Sequence, residues 1–170
     1  MSFLIRPARE GDVPGITEVE LTAGRTSPAA ASKFGAGISA AIMDSYRLVL
    51  VAEAPPDMPR DGSPGVVGWA KTHYWDHSDG PAPAGYYLGG ITVAPHFRRQ
   101  GVAAELTEAR LLWIWKRADS AWYVVNSRNQ PSLALHQRWG FEEVARGPGF
   151  HTVTFDGGGG LLLKASRPKA

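Results

Sequence analysis

The sequence contains no cysteine, which removes disulfides, thiolate metal sites and a cysteine nucleophile together. It also lacks a long apolar run. Stretches such as Leu48–Ala52 and Leu161–Leu163 fall far short of the roughly 20 residues that cross a bilayer, so no membrane partner is expected. Neither sign of charge dominates: 18 Lys+Arg stand against 16 Asp+Glu, a formal net charge of +2. Bulk electrostatics therefore do not mark a nucleic-acid binder, and any anion site has to be built locally. Met1–Arg9 holds two arginines but no apolar core of the about 7 to 15 residues that a cleavable export signal needs, so the expected location is cytoplasmic.

What is present is the profile of one folded domain over residues 1–170, with 44% hydrophobic and 20% charged residues. Phe3–Pro7 reads as a strand, and Glu10-Gly11-Asp12 as the turn into a helix over Val13–Ala23 with Val13, Ile16, Val19 and Leu21 apolar. Ala29–Tyr46 carries Phe34, Ile38, Ile42 and Met43 at helical spacing. Leu48–Glu53 is a buried-looking strand, Pro55–Gly65 a Pro/Gly-rich loop, and Val66–Trp75 and Tyr86–Val93 are longer strands joined through Ser78–Pro83. The clearest helix is Val102–Ala118, with Val102, Leu106, Ala109, Trp113 and Arg117 on one face. A strand at Trp122–Val125, a short helix at Pro131–Trp139 and a strand at Phe141–Arg146 follow. A last hairpin is expected to join His151–Phe155 to Leu161–Ala165 through Gly157–Gly160. The succession is a mixed α/β layout on one central sheet.

The stretch from Gly89 to Ala103 runs from a strand, through Arg98-Arg99-Gln100-Gly101, into the strongest helix. A helix start presents unpaired N–H groups and the positive end of the macrodipole, which suits a pyrophosphate. Gly101 lets backbone approach the anion, and the small Ala103 and Ala104 keep the approach open. Neither the dinucleotide G-x-G-x-x-G spacing nor the G-x-x-x-x-G-K-[ST] loop is present. The Gly157–Gly160 run lies between strands and offers no helix dipole.

Val93-x-Pro95 followed by Arg98-Arg99-Gln100-Gly101-Val102-Ala103 resembles the Q/R-x-x-G-x-G/A acyl-CoA loop of the GNAT superfamily of N-acyltransferases. Asn129-Gln130-Pro131-Ser132-Leu133-Ala134-Leu135-His136-Gln137-Arg138-Trp139-Gly140-Phe141 is similar to that family's later motif, an Asn, a short helix and a Gly-Phe opening a strand. The resemblance covers Tyr86–Arg146. It implies a twisted, mixed but mostly antiparallel sheet of about seven strands with splayed middle strands and about four flanking helices. It also implies acetyl-CoA as co-substrate and no metal. The N–H groups of Arg99, Gln100, Gly101, Val102 and Ala103 would cradle the pyrophosphate, with Arg98 adding charge. Ile91, Thr92 and Val93 would flank the pantetheine arm, and Asn129 would bond the arm or fix its loop.

The sequence departs from the family twice. His136 stands where members usually carry a tyrosine that protonates the departing CoA thiolate, a task an imidazole can perform near neutral pH. Gly89 stands where many members carry a carboxylate base, and no Asp or Glu lies between Gly80 and Pro95. A water held by backbone or by Tyr87, or one of His73, Asp76 and His77, would then have to act. His73 and His77 would lie about 13 Å apart on a strand, too far to share a zinc ion. Glycines inside a strand also mark bulges.

The expected activity is therefore acetyl transfer to a small-molecule or peptide amine, directly and without a covalent enzyme intermediate. The competing expectation is an acyl-CoA-binding module without turnover. The Arg25–Ala36 region and the Pro55–Gly65 and Ser78–Gly85 loops are expected to shape the acceptor side. In the family, homodimers joined by C-terminal strands are frequent, and Leu161–Leu163 is the segment expected to serve.

Overall fold

The structure, a computed structural model, describes residues 3–58 and 65–169. Their order is β1 (Leu4–Pro7), α1 (Val13–Thr22), α2 (Ala31–Met43), β2 (Val49–Glu53), β3 (Val66–Trp75), β4 (Gly85–Val93), α3 (Val102–Trp115), β5 (Ser120–Asn126), α4 (Gln130–His136), β6 (Glu142–Gly147), β7 (Gly149–Phe150), β8 (Val153–Thr154) and β9 (Gly160–Ser166). Seven strands form one sheet in the order β1-β2-β3-β4-β5-β9-β6, and β7 pairs with β8 apart from it. The β4/β5 ladder is parallel through Tyr87↔Trp122 and Leu88↔Tyr123. The β1/β2, β2/β3, β5/β9 and β6/β9 ladders are antiparallel. With four α-helices among the described residues, this is the mixed, mostly antiparallel architecture expected from the sequence. Of the Pro55–Gly65 loop, residues 59–64 lie outside the described residues.

The chain divides into two compact units, Met1–Thr72 with Gly90–Arg110, and His73–Gly89 with Leu111–Ala170. In the first, β2 is apolar on both faces, the pattern of a strand covered on both sides. Leu50 and Ala52 pack with Val67, Ala70, Val102 and Leu106, and Val49 and Val51 with Ile16, Val19, Ile38, Ala41 and Trp69. The buried stripe of α1 is Ile16, Val19 and Glu20, whereas Leu21, named from the apolar pattern, is only half-buried. Glu20 follows Ile16 by four residues and so shares its face. On α3 the buried row is Val102, Leu106 and Arg110; Ala109 and Trp113 flank it half-buried and Arg117 is exposed.

In the second unit Ala121, Tyr123 and Val125 of β5 and Leu161, Leu163 and Ala165 of β9 pack with Leu88, Leu111, Ile114 and Phe141. On the opposite face Leu162 joins Tyr87, Ala82 and Phe150, with Trp75, Trp122 and Val124 against them. The expected last hairpin is a correction: β9 does not pair with residues 151–155 but lies between β5 and β6, while Val153–Thr154 turns back on Gly149–Phe150. The reason is apolar area. Leu161, Leu162, Leu163 and Ala165 are all buried and need cover on both faces, whereas Val153 and Thr154 are exposed. Paired on both sides, β9 also offers no free edge for the dimer contact expected at Leu161–Leu163.

On β4, Leu88 packs with Leu111 and Ile114 in the second unit, and Ile91 and Val93 pack with Val102 and Leu106 in the first. A Cβ built on Gly90 would meet Trp69 Cη2 at 3.2 Å and Lys71 Cε at 3.8 Å. Gly90 thus faces the side on which Trp69 packs with α1 and α2.

The start of the chain is fastened by Arg6. Its Nη1 and Nη2 donate to Asp12 Oδ2 and Oδ1 at 2.7 and 2.8 Å, and its Nη2 and Nε donate to Glu53 Oε1 at 2.6 and 3.1 Å. The hydrogen bonds from Arg6 hold the Asp12 carboxyl below its ordinary range. A carboxyl depressed by folding contributes stability above its unfolded pKa, about 4, that is lost as pH falls through the folded value. We expect Arg6→Gln to lose about 1.5–3 kcal/mol at pH 7, the scale of hydrogen bonds to charged groups. In urea titrations the gap to the wild type should narrow as the pH is taken below about 4. A gap that stays constant would mean that Arg6 acts through packing alone.

Candidate active site

The first unit contains the basic loop. After β4 the chain makes a short 3-10 turn at Pro95–Phe97, then passes through Arg98, Arg99, Gln100 and Gly101 into α3. Arg98 Nε donates back to the Val93 carbonyl at 3.3 Å and Gln100 Nε2 to the His96 carbonyl at 3.2 Å. These side chains close the loop on itself and occupy its carbonyls. Arg99 has φ +62 and Gly101 φ +86. Such left-handed residues on either side of Gln100, which has negative φ, curl successive N–H groups toward one concavity, the geometry of an anion nest.

The helix then adds its own donors. Glu105 N–H reaches the Gly101 carbonyl at 3.0 Å, so Val102, Ala103 and Ala104 carry the N–H groups that a helix start leaves without an intrahelical partner. Val102 and Leu106 are 1% and 0% exposed and anchor the helix beneath an exposed Arg98–Gly101 segment. A Cβ at Gly101 would meet nothing within 4 Å; what selects glycine there is the positive φ. Arg99 is the costlier member, because a side chain in that region is strained, and strain of this kind gathers at ligand clamps. Upstream, Ile91 and Val93 are half-buried and Thr92 buried.

The second unit holds the later motif. Asn129 caps α4, its Oδ1 accepting the Ser132 N–H at 3.3 Å. His136 is 1% exposed, and its ring stacks on Tyr123 with centroids 3.9 Å apart and meets Phe141 edge-on at 5.6 Å. Nδ1 lies 2.7 Å from the Ser132 carbonyl. A carbonyl only accepts, so Nδ1 carries a proton in this contact. The Tyr123 hydroxyl is hydrogen-bonded to Ser132 Oγ, which makes Tyr123, Ser132 and His136 one polar group inside an apolar cluster.

Tyr87 is 3% exposed and donates its hydroxyl proton to the Pro83 carbonyl at 2.6 Å. Burial, and secondarily the charge of Asp79, push its phenol well above the usual tyrosine range, so it keeps its proton at neutral pH. His77 Nδ1 and Asp76 Oδ1 are 2.7 Å apart, both residues being exposed, and His73 lies against Trp75 with centroids 4.4 Å apart. Among the described residues no group of three or more His, Cys, Asp or Glu could hold a metal ion.

Sequence reading passed over three buried polar groups. Glu20 is 7% exposed and accepts the Trp69 Nε1–H at 2.8 Å; its signal was an acid four residues after Ile16 on the apolar face. Arg110 is 0% exposed and donates to the Lys71 carbonyl and to Thr107 Oγ1, each at 3.0 Å. It continues the row begun by Val102 and Leu106. The Tyr123–Ser132 bond left no signal, because it depends on how β5 and α4 pack.

The family model described as acetyltransferase (GNAT) family matches residues 41–141. No curated protein matches the chain. Among solved structures it is similar to the ribosomal-protein-alanine N-acetyltransferase from Brucella melitensis, with 21% identity, a TM-score of 0.70 and coverage of 96% of this chain and 99% of that one. The acetyltransferase of GNAT family from Streptococcus pneumoniae gives 14% identity, a TM-score of 0.68 and coverage of 98% and 100%. The yncA protein from Salmonella typhimurium, solved with its cofactor acetyl-CoA, gives 21%, 0.68, and 98% and 94%. At such identities the likeness is one of fold.

If backbone donors of the loop hold the pyrophosphate, conformation should matter more than any one side chain. Gly101→Val, which places a β-branched residue at φ +86, should abolish acetyl-CoA binding in calorimetry while the protein stays folded by circular dichroism. Arg98→Ala should cost less, about tenfold at most, as one exposed charge–phosphate contact. Unchanged affinity in a folded Gly101→Val protein would remove the assignment.

Proposed function

The chain belongs to the GNAT family of acetyltransferases, and on that premise we propose that it moves an acetyl group from acetyl-CoA to a primary amine by direct attack within a ternary complex. The amine nitrogen forms a C–N bond at the thioester carbonyl as the C–S bond breaks. One proton leaves the nitrogen and one reaches the departing thiolate. The observation that carries this reading is the pair of left-handed residues, Arg99 and Gly101, at the start of α3. Together with the free donors of the helix start they suit a pyrophosphate.

In this reading the backbone of Ile91, Thr92 and Val93 lines the pantetheine arm, and Asn129 fixes the turn into α4. The acceptor is a small-molecule or peptide amine; the ribosomal-protein alanine in the name of the Brucella neighbour is one class to test. His136 is the acid that protonates the thiolate. With Nδ1 donating to the Ser132 carbonyl, the form that acts as acid is the imidazolium, and the proton it delivers is the one on Nε2. Tyr87 acts as an orienting hydroxyl, since a phenol held this strongly protonated is no base.

Thiol release from acetyl-CoA in the presence of a panel of primary amines separates transfer from mere binding. His136→Ala should lower turnover by about 100-fold or more, the scale of a positioned acid, with little change in acetyl-CoA affinity, and His136→Tyr should restore part of it. A loss below about threefold per folded molecule would show that the ring only packs on Tyr123 and Phe141.

A further inference from the structure

The transfer proposed above needs a group that takes a proton from the acceptor's ammonium, and β4 offers no carboxylate. We propose that Lys71 of β3, through its ε-amine beside Gly90, is that proton acceptor, with Glu20 and Arg47 as the positioning charges that set its affinity for the proton. The inference rests on the transfer reading and deepens it.

The geometry lies within the first unit. Gly90 has no side chain and is exposed, and the direction its Cβ would take leads to Lys71 Cε at 3.8 Å and Trp69 Cη2 at 3.2 Å. Of the groups met in that direction, Lys71 alone bears an ionisable atom, one bond beyond Cε. Its backbone is pinned from the opposite side of the sheet, where Arg110 donates to its carbonyl at 3.0 Å. Across the same indole, Trp69 Nε1 donates to Glu20, so one tryptophan has its ring against Gly90 and its N–H on a buried carboxylate.

The electrostatics agree with that placement. Lys71 is half-buried, and burial foremost, then the charge of Arg47, draws its ammonium below the ordinary lysine range, while Glu20 from α1 pulls the other way. A lysine drawn down by burial releases its proton more readily than one in water, and a general base acts through that neutral amine. In the step itself a proton passes from the acceptor R–NH3+ to Lys71 Nζ. The freed R–NH2 attacks the thioester carbonyl, and Glu20 offsets the ammonium left on Lys71. Glu20 acts on Lys71 through space while its carboxylate keeps the indole N–H of Trp69.

The test is thiol release from acetyl-CoA with primary amines between about pH 6 and pH 10, using the wild type, Lys71→Arg, Glu20→Gln and Arg47→Gln. Lys71→Arg keeps a cation but cannot give up its proton. It should lose about 100-fold or more in kcat at pH 7 with the KM for acetyl-CoA unchanged, and the loss should shrink as rising pH deprotonates the acceptor in solution. Glu20→Gln removes the charge that favours protonated Lys71 and should move the acid limb of kcat/KM to lower pH. Arg47→Gln removes the opposing charge and should move it to higher pH. Lys71→Arg within about threefold of the wild type at pH 7, or with a loss that is the same at every pH, overturns the assignment of Lys71. Shifts of the same sign in the two charge variants overturn the tuning. A wild type that binds acetyl-CoA and releases no thiol with any amine overturns the transfer reading itself, and this proposal with it.

Discussion

The constraint on which most else depends is the absence of a side chain at Gly90 of β4. It leaves strand backbone open toward Trp69 and Lys71 on the neighbouring strand. A larger residue at 90 would have to displace the edge of a tryptophan that is 3% exposed, and close-packed cores resist that. The same glycine that costs the strand a side-chain contact therefore gives access to the lysine beside it.

Packing around this strand also explains why charge sits where apolar patterning alone would not place it. Glu20 and Arg110 are each carried inward by a helix whose other buried positions are apolar, and each is met by hydrogen-bonding groups of β3. Glu20 receives the indole N–H of Trp69 and Arg110 reaches the carbonyl of Lys71. Burying a charge without such partners is costly, so both helices are held in one register against that strand. Lys71 lies where these two attachments converge.

Much of the architecture was legible because it follows from local pattern. The bounds of β3 and the start of α3 coincide with those read from the residues, since a period-two run and a period-3.6 run are each strong where turn residues bracket them. The basic loop was legible for a related reason: Gly101 before an apolar helix marks a change of backbone direction. What the residues did not disclose was partnership at a distance. His151–Phe155 and Leu161–Ala165 look like a hairpin because Gly157–Gly160 separates them, yet β9 is claimed by β5 and β6. Glu20 was hidden because an apolar-pattern reading skips charged residues even when their spacing places them in the core.

Two kinds of site then differ in what they demand of a sequence. The anion loop depends on backbone: φ at two residues and the N–H groups of a helix start. Most residues satisfy such demands once a glycine and small neighbours are in place, so this part of a chain remains recognisable while side chains change around it. Proton transfer depends on side chains, which need only bring a titratable atom to one point with the right neighbours. Nothing obliges that atom to come from the strand beside the substrate. With Gly89 and Gly90 bare, the neighbouring strand can present an amine across the gap, and the helix behind it can present the compensating carboxylate. A missing acid in a motif is thus weak ground for denying turnover until the elements packed against the motif have been searched for charge.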